Sequence, residues 1–323
     1  MGEAMEKRIQ VIFLLLITAV ILSLGVGAGV LQLQNDNLKE NTNIGYNNAV
    51  DEIKSDEIKS NAQVAIDNST STNLELHFLD VGQGDSTLVI LPDGKTMLID
   101  AGTSKHGSTV VNYLKALKIS KIDYLVMTHP DADHIGGMSK VIDNFDIGTI
   151  YMTDRISTTK TFEDLLIKIG TKDLKITTPE ANDIISESDD FKAMFLSPIK
   201  KYDNNNDMSL VIHITHKNNT FLLMGDAGIR VENDLLNSNA NINADLIKIG
   251  HHGSAYSSSA KFIEKVSPLF AIISSGEGNK FGHPSPVTLE TLDKNGVKVY
   301  RTDELGHIVA VSDGKIIKID YKT

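Results

Sequence analysis

Cysteine and tryptophan are both absent from the 323 residues. Without cysteine there is no disulfide and no disulfide-linked partner, no thiolate zinc site, no cysteine nucleophile and no lipid-bearing N-terminal cysteine. A metal ion would have to be held by His, Asp, Glu or Asn. Missing tryptophan removes one means of stacking on nucleobases. Positive charge is scarce too: 31 Lys and Arg face 42 Asp and Glu, a net charge of −11. Non-specific affinity for nucleic acid comes mainly from Lys and Arg on phosphates, so this balance disfavours a general DNA-binding module. It weighs less against an enzyme that meets DNA only briefly. At 41% hydrophobic residues, the chain is long enough for one substantial core or two modest ones.

What is present begins with Glu6-Lys7-Arg8, followed by an uncharged run of 21 residues from Val11 to Leu31. That length suffices for a helix across a bilayer. Lys7 and Arg8 favour a cytoplasmic N-terminus, placing everything after the span outside. A cleavable signal peptide is the competing reading, with a small-residue cleavage site at Val26-Gly27-Ala28. Either way the protein is expected outside the cytoplasm, anchored to the membrane or secreted. Residues 32–73 are polar and hold the tandem pentapeptides Asp51-Glu52-Ile53-Lys54-Ser55 and Asp56-Glu57-Ile58-Lys59-Ser60. Two copies do not make a solenoid. With few large apolar residues, the stretch reads as a flexible tether. The expected organisation is a membrane anchor or signal segment over 1–31, a linker over 32–73 and a globular domain over 74–323.

From Leu74 onward, apolar runs bounded by turn residues predict strands over 74–79, 86–91, 96–99, 124–127, 210–215, 221–224, 244–249, 269–274 and 297–300. Pro92-Asp93-Gly94-Lys95 has hairpin-turn chemistry. Helical spacing appears over 110–117, 139–145 and 161–169. Strands alternating with helices after an opening hairpin predict α/β layers, sheets covered by helices.

The densest chemistry is Thr128-His129-Pro130-Asp131-Ala132-Asp133-His134-Ile135-Gly136-Gly137, directly after the apolar run Tyr124-Leu125-Val126-Met127. Two histidines and two carboxylates within six residues are what a divalent ion needs. The two glycines allow a sharp turn into the next element. The plainer alternative is a polar turn capping a helix through Asp131 or Asp133. Two other strands end in the same way. Phe221-Leu222-Leu223-Met224 runs into Gly225-Asp226, and Asp245-Leu246-Ile247-Lys248-Ile249 into Gly250-His251-His252-Gly253-Ser254. Alone, Asp226 reads as a turn residue and His251-His252 as a surface pair. Three strand-end clusters in one domain argue jointly for a metal centre.

Together, His129-Pro130-Asp131-Ala132-Asp133-His134, Gly225-Asp226 and Gly250-His251-His252-Gly253-Ser254 resemble the successive motifs of the metallo-β-lactamase fold. Phe78-Leu79-Asp80-Val81-Gly82-Gln83-Gly84-Asp85-Ser86, Asn206-Asp207-Met208-Ser209-Leu210-Val211 and Phe281-Gly282-His283-Pro284 narrow the resemblance. They are similar to the extracellular hydrolase domain of the competence-related ComEC family, without its multispanning channel region. The resemblance covers residues 74–320 and implies an αββα sandwich with two divalent ions, Zn or Mn, at one edge. It assigns His129 to metal site 1, Asp133, His134 and His251 to site 2, and Asp226 as the bridging carboxylate. Asp131 departs from the histidine common in the wider fold and makes site 1 harder and more anionic. For the remaining site 1 ligand, Asn206 is in the family motif, whereas His213 and His216 read as strand positions.

Two ions can supply an activated water and clamp the oxygens of a displacement at phosphorus. Asp226 would position that water, His283 would serve the leaving oxygen with His252 second, and Asp80 and Asp85 would support the centre by hydrogen bonds. The expected function is an exported metal-dependent phosphodiesterase, with DNA favoured by the resemblance. A cell-wall phosphocholine or teichoic acid ester is the alternative substrate, and a β-lactam a remote third. A non-catalytic binding domain on the same fold is the alternative of another class.

Overall fold

The computed structural model describes residues 72–321. The expected anchor over 1–31 and nearly all of the tether lie outside these residues. Among the described residues, no helix is long and apolar enough to cross a membrane. Two mixed sheets are formed. The eight-stranded sheet has the order β15-β14-β1-β2-β3-β4-β5-β6, and the seven-stranded sheet β13-β12-β11-β10-β9-β8-β7.

In the first sheet, β1 (Leu74–Phe78), β2 (Thr87–Ile90) and β3 (Thr96–Ile99) form an antiparallel meander. β4 (Lys121–Met127), β5 (Asp146–Met152) and β6 (Ile176–Thr177) then add in parallel. The hairpin β14 (Ile308–Ser312) and β15 (Ile317–Tyr321) closes the other side through β1. In the second sheet, β7 (Ile184–Ser188), β8 (Phe191–Ser197), β9 (Val211–His216) and β10 (Asn219–Leu223) are antiparallel neighbours. β11 (Leu246–Lys248), β12 (Phe270–Ile273) and β13 (Lys298–Arg301) follow in parallel.

Side chains alternate across a strand, so each strand serves two layers. Leu74, Leu76 and Phe78 of β1 and Met97 and Ile99 of β3 meet Phe195, Ile212, Ile214, Phe221 and Leu223 between the sheets. Leu98 and Leu125 face outward against Val110 and Leu114 of α1 (Gly107–Ala116), Val141 of α3 (Met138–Asn144) and Leu165 of α4 (Lys160–Thr171). The short α2 (Ala132–Ile135) belongs to the same outer layer through Ile135. Leu222 and Ile247 of the second sheet face Val231 and Leu235 of α5 (Ile229–Asn237), Ile263 of α6 (Ala260–Val266) and Leu292 of α7 (Pro286–Lys294). Each fully buried side chain of this size contributes about 1.5–3 kcal/mol. The result is a mixed α/β, two-sheet fold consistent with a metallo-β-lactamase sandwich. A last short helix, α8 (Thr302–Leu305), links β13 to β14.

The predicted strands and helices recur with small shifts, and six further strands are found that the local pattern does not predict: β5, β6, the β7-β8 hairpin and the β14-β15 hairpin. β5 carries Gly148, whose place a Cβ would contest by lying 2.4 Å from the Asp123 carbonyl oxygen. Close approach to β4, which strand propensity does not encode, selects the residue there.

Candidate metal centre

β3 and β4 are parallel, as are β10 and β11, so each pair delivers its C-terminal residues to one edge. Ligand-bearing groups collect at such carboxyl edges in α/β sheets. Asp100 follows β3, Thr128 and His129 follow β4, Asp226 follows β10, and His251 and His252 follow β11. Asp131 occupies the N-cap position of α2, yet its side chain makes no capping bond. Its Oδ1 instead accepts from Asn205 Nδ2 at 2.6 Å. Gly136 and Gly137 have ordinary negative φ and are needed for proximity rather than for the sharp turn expected of them. A Cβ on Gly137 would lie 2.1 Å from the Ala101 carbonyl oxygen.

Asp226 is the hub. Its backbone N–H donates to Ser209 Oγ at 3.0 Å, which aims a carboxylate that is nearly fully buried. Oδ1 lies 3.2 Å from His134 Nε2, and Oδ2 lies 3.6 Å from His252 Nε2 and 3.8 Å from His129 Nε2 and His251 Nε2. On its other side, His134 Nδ1 donates to Asp100 Oδ2 at 2.7 Å. His252 Nδ1 donates to the Ser274 carbonyl at 3.0 Å. Thr128 Oγ1 gives its proton to Asp100 Oδ2 at 2.6 Å and is left to accept from His129 Nδ1 at 3.1 Å. Three imidazoles thus have Nδ1 engaged and Nε2 turned toward Asp226, the arrangement that fixes the tautomer of a metal-binding histidine.

Those three Nε2 atoms and Asp226 Oδ1 are buried without a hydrogen-bond partner among the described residues. Unpartnered buried polar groups are costly, so a common partner at the centre fits the donor set. Ligand atoms of His129, His134 and Asp226 lie within 4.8 Å of one another, as do those of Asp133, His134 and His252. These two groups share His134. Nitrogen and carboxylate donors of this kind suit Zn, Mn and similar ions.

The resemblance assigns His251 to the second group, whereas the structure brings His252 to that position. His252 Nε2 is 3.5 Å from Asp133 Oδ2. The His251 side chain is 29% exposed and stands 3.2 Å, through Nε2, from Asn206 Nδ2. The cause is the backbone between them: both residues adopt left-handed conformations, with φ of 50° and 54°. The His251 ring is thereby sent to the rim and the His252 ring inward. Such conformations in non-glycine residues store roughly 1–3 kcal/mol each and occur where geometry is tightly determined.

His213 is hydrogen-bonded to the Asn243 carbonyl and His216 to Ser312, which leaves both as strand residues away from the centre. Asp80 shapes its own loop, accepting from Gly82 N–H at 3.0 Å, while its N–H donates to His307 Nδ1. Asp85 reaches the centre. Its Oδ2 accepts from the buried Lys248 at 2.5 Å, and its Oδ1 lies 3.5 Å from His252 Nδ1. A Cβ on the preceding Gly84 would sit 2.4 Å from the Asp133 carbonyl oxygen, so only glycine lets this loop press against α2. His283 stacks on the rim, its ring 5.4 Å from that of His251 and 6.4 Å from that of His252.

Asp100, Lys248 and Asn205 escaped the sequence reading. Asp100 left a signal, since Met97-Leu98-Ile99-Asp100-Ala101-Gly102 is a fourth apolar strand ending in an acid. Lys248 was visible as a lone charge inside the apolar run 246–249.

Mutual electrostatics shift the cluster's titrations strongly. Burial disfavours the charged form of His134, yet Asp226 and Asp100 outweigh it and hold its pKa well above the usual value. Burial is likewise overcome at His252 by Asp226, Asp133 and Asp85, which push its pKa up to about 10. His129 is driven down to about 4 by burial and the neighbouring charge of His134. Against its own burial, Asp226 is held well below the carboxylate range by His252 and His134. Burial and the charges of His251 and His252 lower His283.

A two-sheet sandwich with a buried His/Asp cluster at one edge marks a metal-binding class of α/β protein. The chain belongs to the Metallo-beta-lactamase superfamily, whose family model matches residues 79–277. Members are generally metal-dependent hydrolases, and the fold typically binds two divalent ions. The chain is similar to ComE operon protein 3 of Bacillus subtilis (strain 168), with 28% identity over 74% of this chain and 33% of that protein. Competence protein ComA of Neisseria gonorrhoeae is 29% identical over 70% of this chain and 30% of its own length. Recombination protein 2 of Haemophilus influenzae is 28% identical over 71% and 28%, respectively. The chain spans about a third of the length of these curated relatives.

Proposed function

We propose that this domain is a metal-dependent phosphodiesterase acting outside the cytoplasm, with DNA as its substrate. The observation that carries the reading is the convergence of three Nε2 atoms on Asp226, each ring fixed from behind through Nδ1. Two ions held by His129, Asp131, Asp133, His134, Asp226 and His252 would supply an activated water and positive charge for phosphoryl oxygens. Asp226 orients the donor set from its centre. Asn205 holds one oxygen of Asp131, which leaves the other for an ion. His283 and His251 line the rim, and His283 is the candidate for passing a proton to the leaving oxygen. DNA is favoured by the names of the relatives, which concern competence and recombination. Residues 11–31 would tether the domain to the membrane or direct its export.

The test is to strip the purified protein of metal and reload it separately with Zn, Mn or Mg. Each form is then offered linear DNA and bis-p-nitrophenyl phosphate. Cleavage of both, abolished in His129→Ala and Asp226→Ala, is the expected result. Cleavage of the small ester alone would move the substrate to wall phosphodiesters. No turnover with any ion would leave a binding domain.

A further inference from the structure

Phe281 projects from the loop between β12 and α7 and is 58% exposed. Single exposed apolar residues are common and need no function. This one differs in how it is held. Asn279 Oδ1 accepts from the backbone N–H of Phe281 and of His283, each at 3.1 Å. Asn279 Nδ2 donates to the carbonyls of Gly276 at 2.9 Å and His283 at 2.5 Å. Gly276 N–H in turn donates to Gln83 Oε1 at 3.1 Å, tying the loop to the segment that carries Asp85. The loop backbone that carries this exposed aromatic ring is therefore held in place by side-chain hydrogen bonds rather than by burial.

The ring stacks on His283, with centroids 5.9 Å apart and planes inclined by 25°. His283 in turn lies over His252, with ring centroids 6.4 Å apart, so a single imidazole separates Phe281 from the ligand cluster. Lys280 Nζ lies 5.2 Å from the Phe281 ring centroid, and no carboxylate pairs with it among the described residues. An exposed aromatic face with a cation that no carboxylate pairs among the described residues, one side chain from the proposed phosphodiester-cleaving centre, matches the chemistry of an unpaired nucleotide. Base–aromatic stacking tolerates any base because each has a π-face, and a nearby cation meets the backbone phosphate.

We infer that Phe281 and Lys280 form a stacking subsite for an unpaired nucleobase next to the scissile phosphate, directing the enzyme to single-stranded DNA or frayed ends. The inference rests on the phosphodiesterase reading. A base inside a duplex has both faces covered and cannot use the ring without being unstacked.

The probe is a single-stranded oligonucleotide with 2-aminopurine at one position, paired with the same strand made abasic there. Both are bound to the metal-loaded protein. Wild type is expected to quench the 2-aminopurine and to bind the abasic strand about tenfold more weakly. Phe281→Ala should lose the quenching and bind the two strands equally, and Phe281→Trp should restore both effects. Leu269→Ala, another exposed apolar position, should behave as wild type. Equal discrimination by wild type and Phe281→Ala, with turnover of bis-p-nitrophenyl phosphate intact in wild type, overturns the subsite alone. No turnover of any phosphodiester by wild type overturns the functional reading and this inference with it.

Discussion

The carboxylate of Asp100 accepts from His134 Nδ1 at 2.7 Å and also receives the backbone N–H and the hydroxyl of Thr128. It holds His134 directly and His129 through Thr128, so one residue governs two rings of the cluster. Asp100→Ala is therefore expected to lower metal affinity about 10–100-fold. Competition against a chromophoric chelator measures this, and unchanged affinity would remove Asp100 from the positioning role.

His252 and His251 separate by stoichiometry. If the reloaded wild-type protein carries two ions, His252→Ala should retain about one. His251→Ala should lose much less, because its ring stands at the rim beside Asn206. Elemental analysis of each variant decides between them, and the reverse order would restore His251 as the ligand.

The metal-free protein should lose stability as alkalinity increases. His252 has a folded pKa raised to about 10 against about 6.5 unfolded, so its contribution is complete below about pH 6.5 and lost as pH rises through 10. The depressed Asp226 acts oppositely, its contribution disappearing as pH falls. Calorimetry of chelator-treated protein should show Tm falling from pH 7 to 10, and less steeply in His252→Gln. Parallel curves for the two proteins would refute the assignment.

Lys248 and Asp85 form an ion pair with side chains only 3% and 4% exposed. Lys248→Met leaves a buried carboxylate without its cation and should cost about 3–5 kcal/mol in denaturant unfolding. The double variant Lys248→Met, Asp85→Leu should regain part of that loss. If the single variant is neutral, water is screening the pair.

What could be read from the chain and what could not divide by sequence distance. Each ligand motif follows its own apolar strand within a few residues, so local pattern exposes His129, Asp133, His134 and Asp226. The resemblance reached the sandwich by the same route, through motifs compact enough to recognise. Asn205 meets Asp131 across 74 residues and Lys248 meets Asp85 across 163, relations that no local pattern records. The exchange of His252 for His251 depends on two left-handed backbone angles, which an HH dipeptide does not announce. β7 failed for another reason. Its sequence Ile-Ile-Ser-Glu-Ser is a largely exposed edge, with too little apolar alternation to mark a strand.

The cluster straddles the sandwich: His129, Asp133 and His134 follow a strand of one sheet, and Asp226 and His252 follow strands of the other. An ion held by these residues would act as a rivet between the two halves. Its withdrawal would be felt as play along the seam, with amide exchange quickening in the loops at that edge while the interior of each sheet keeps its protection.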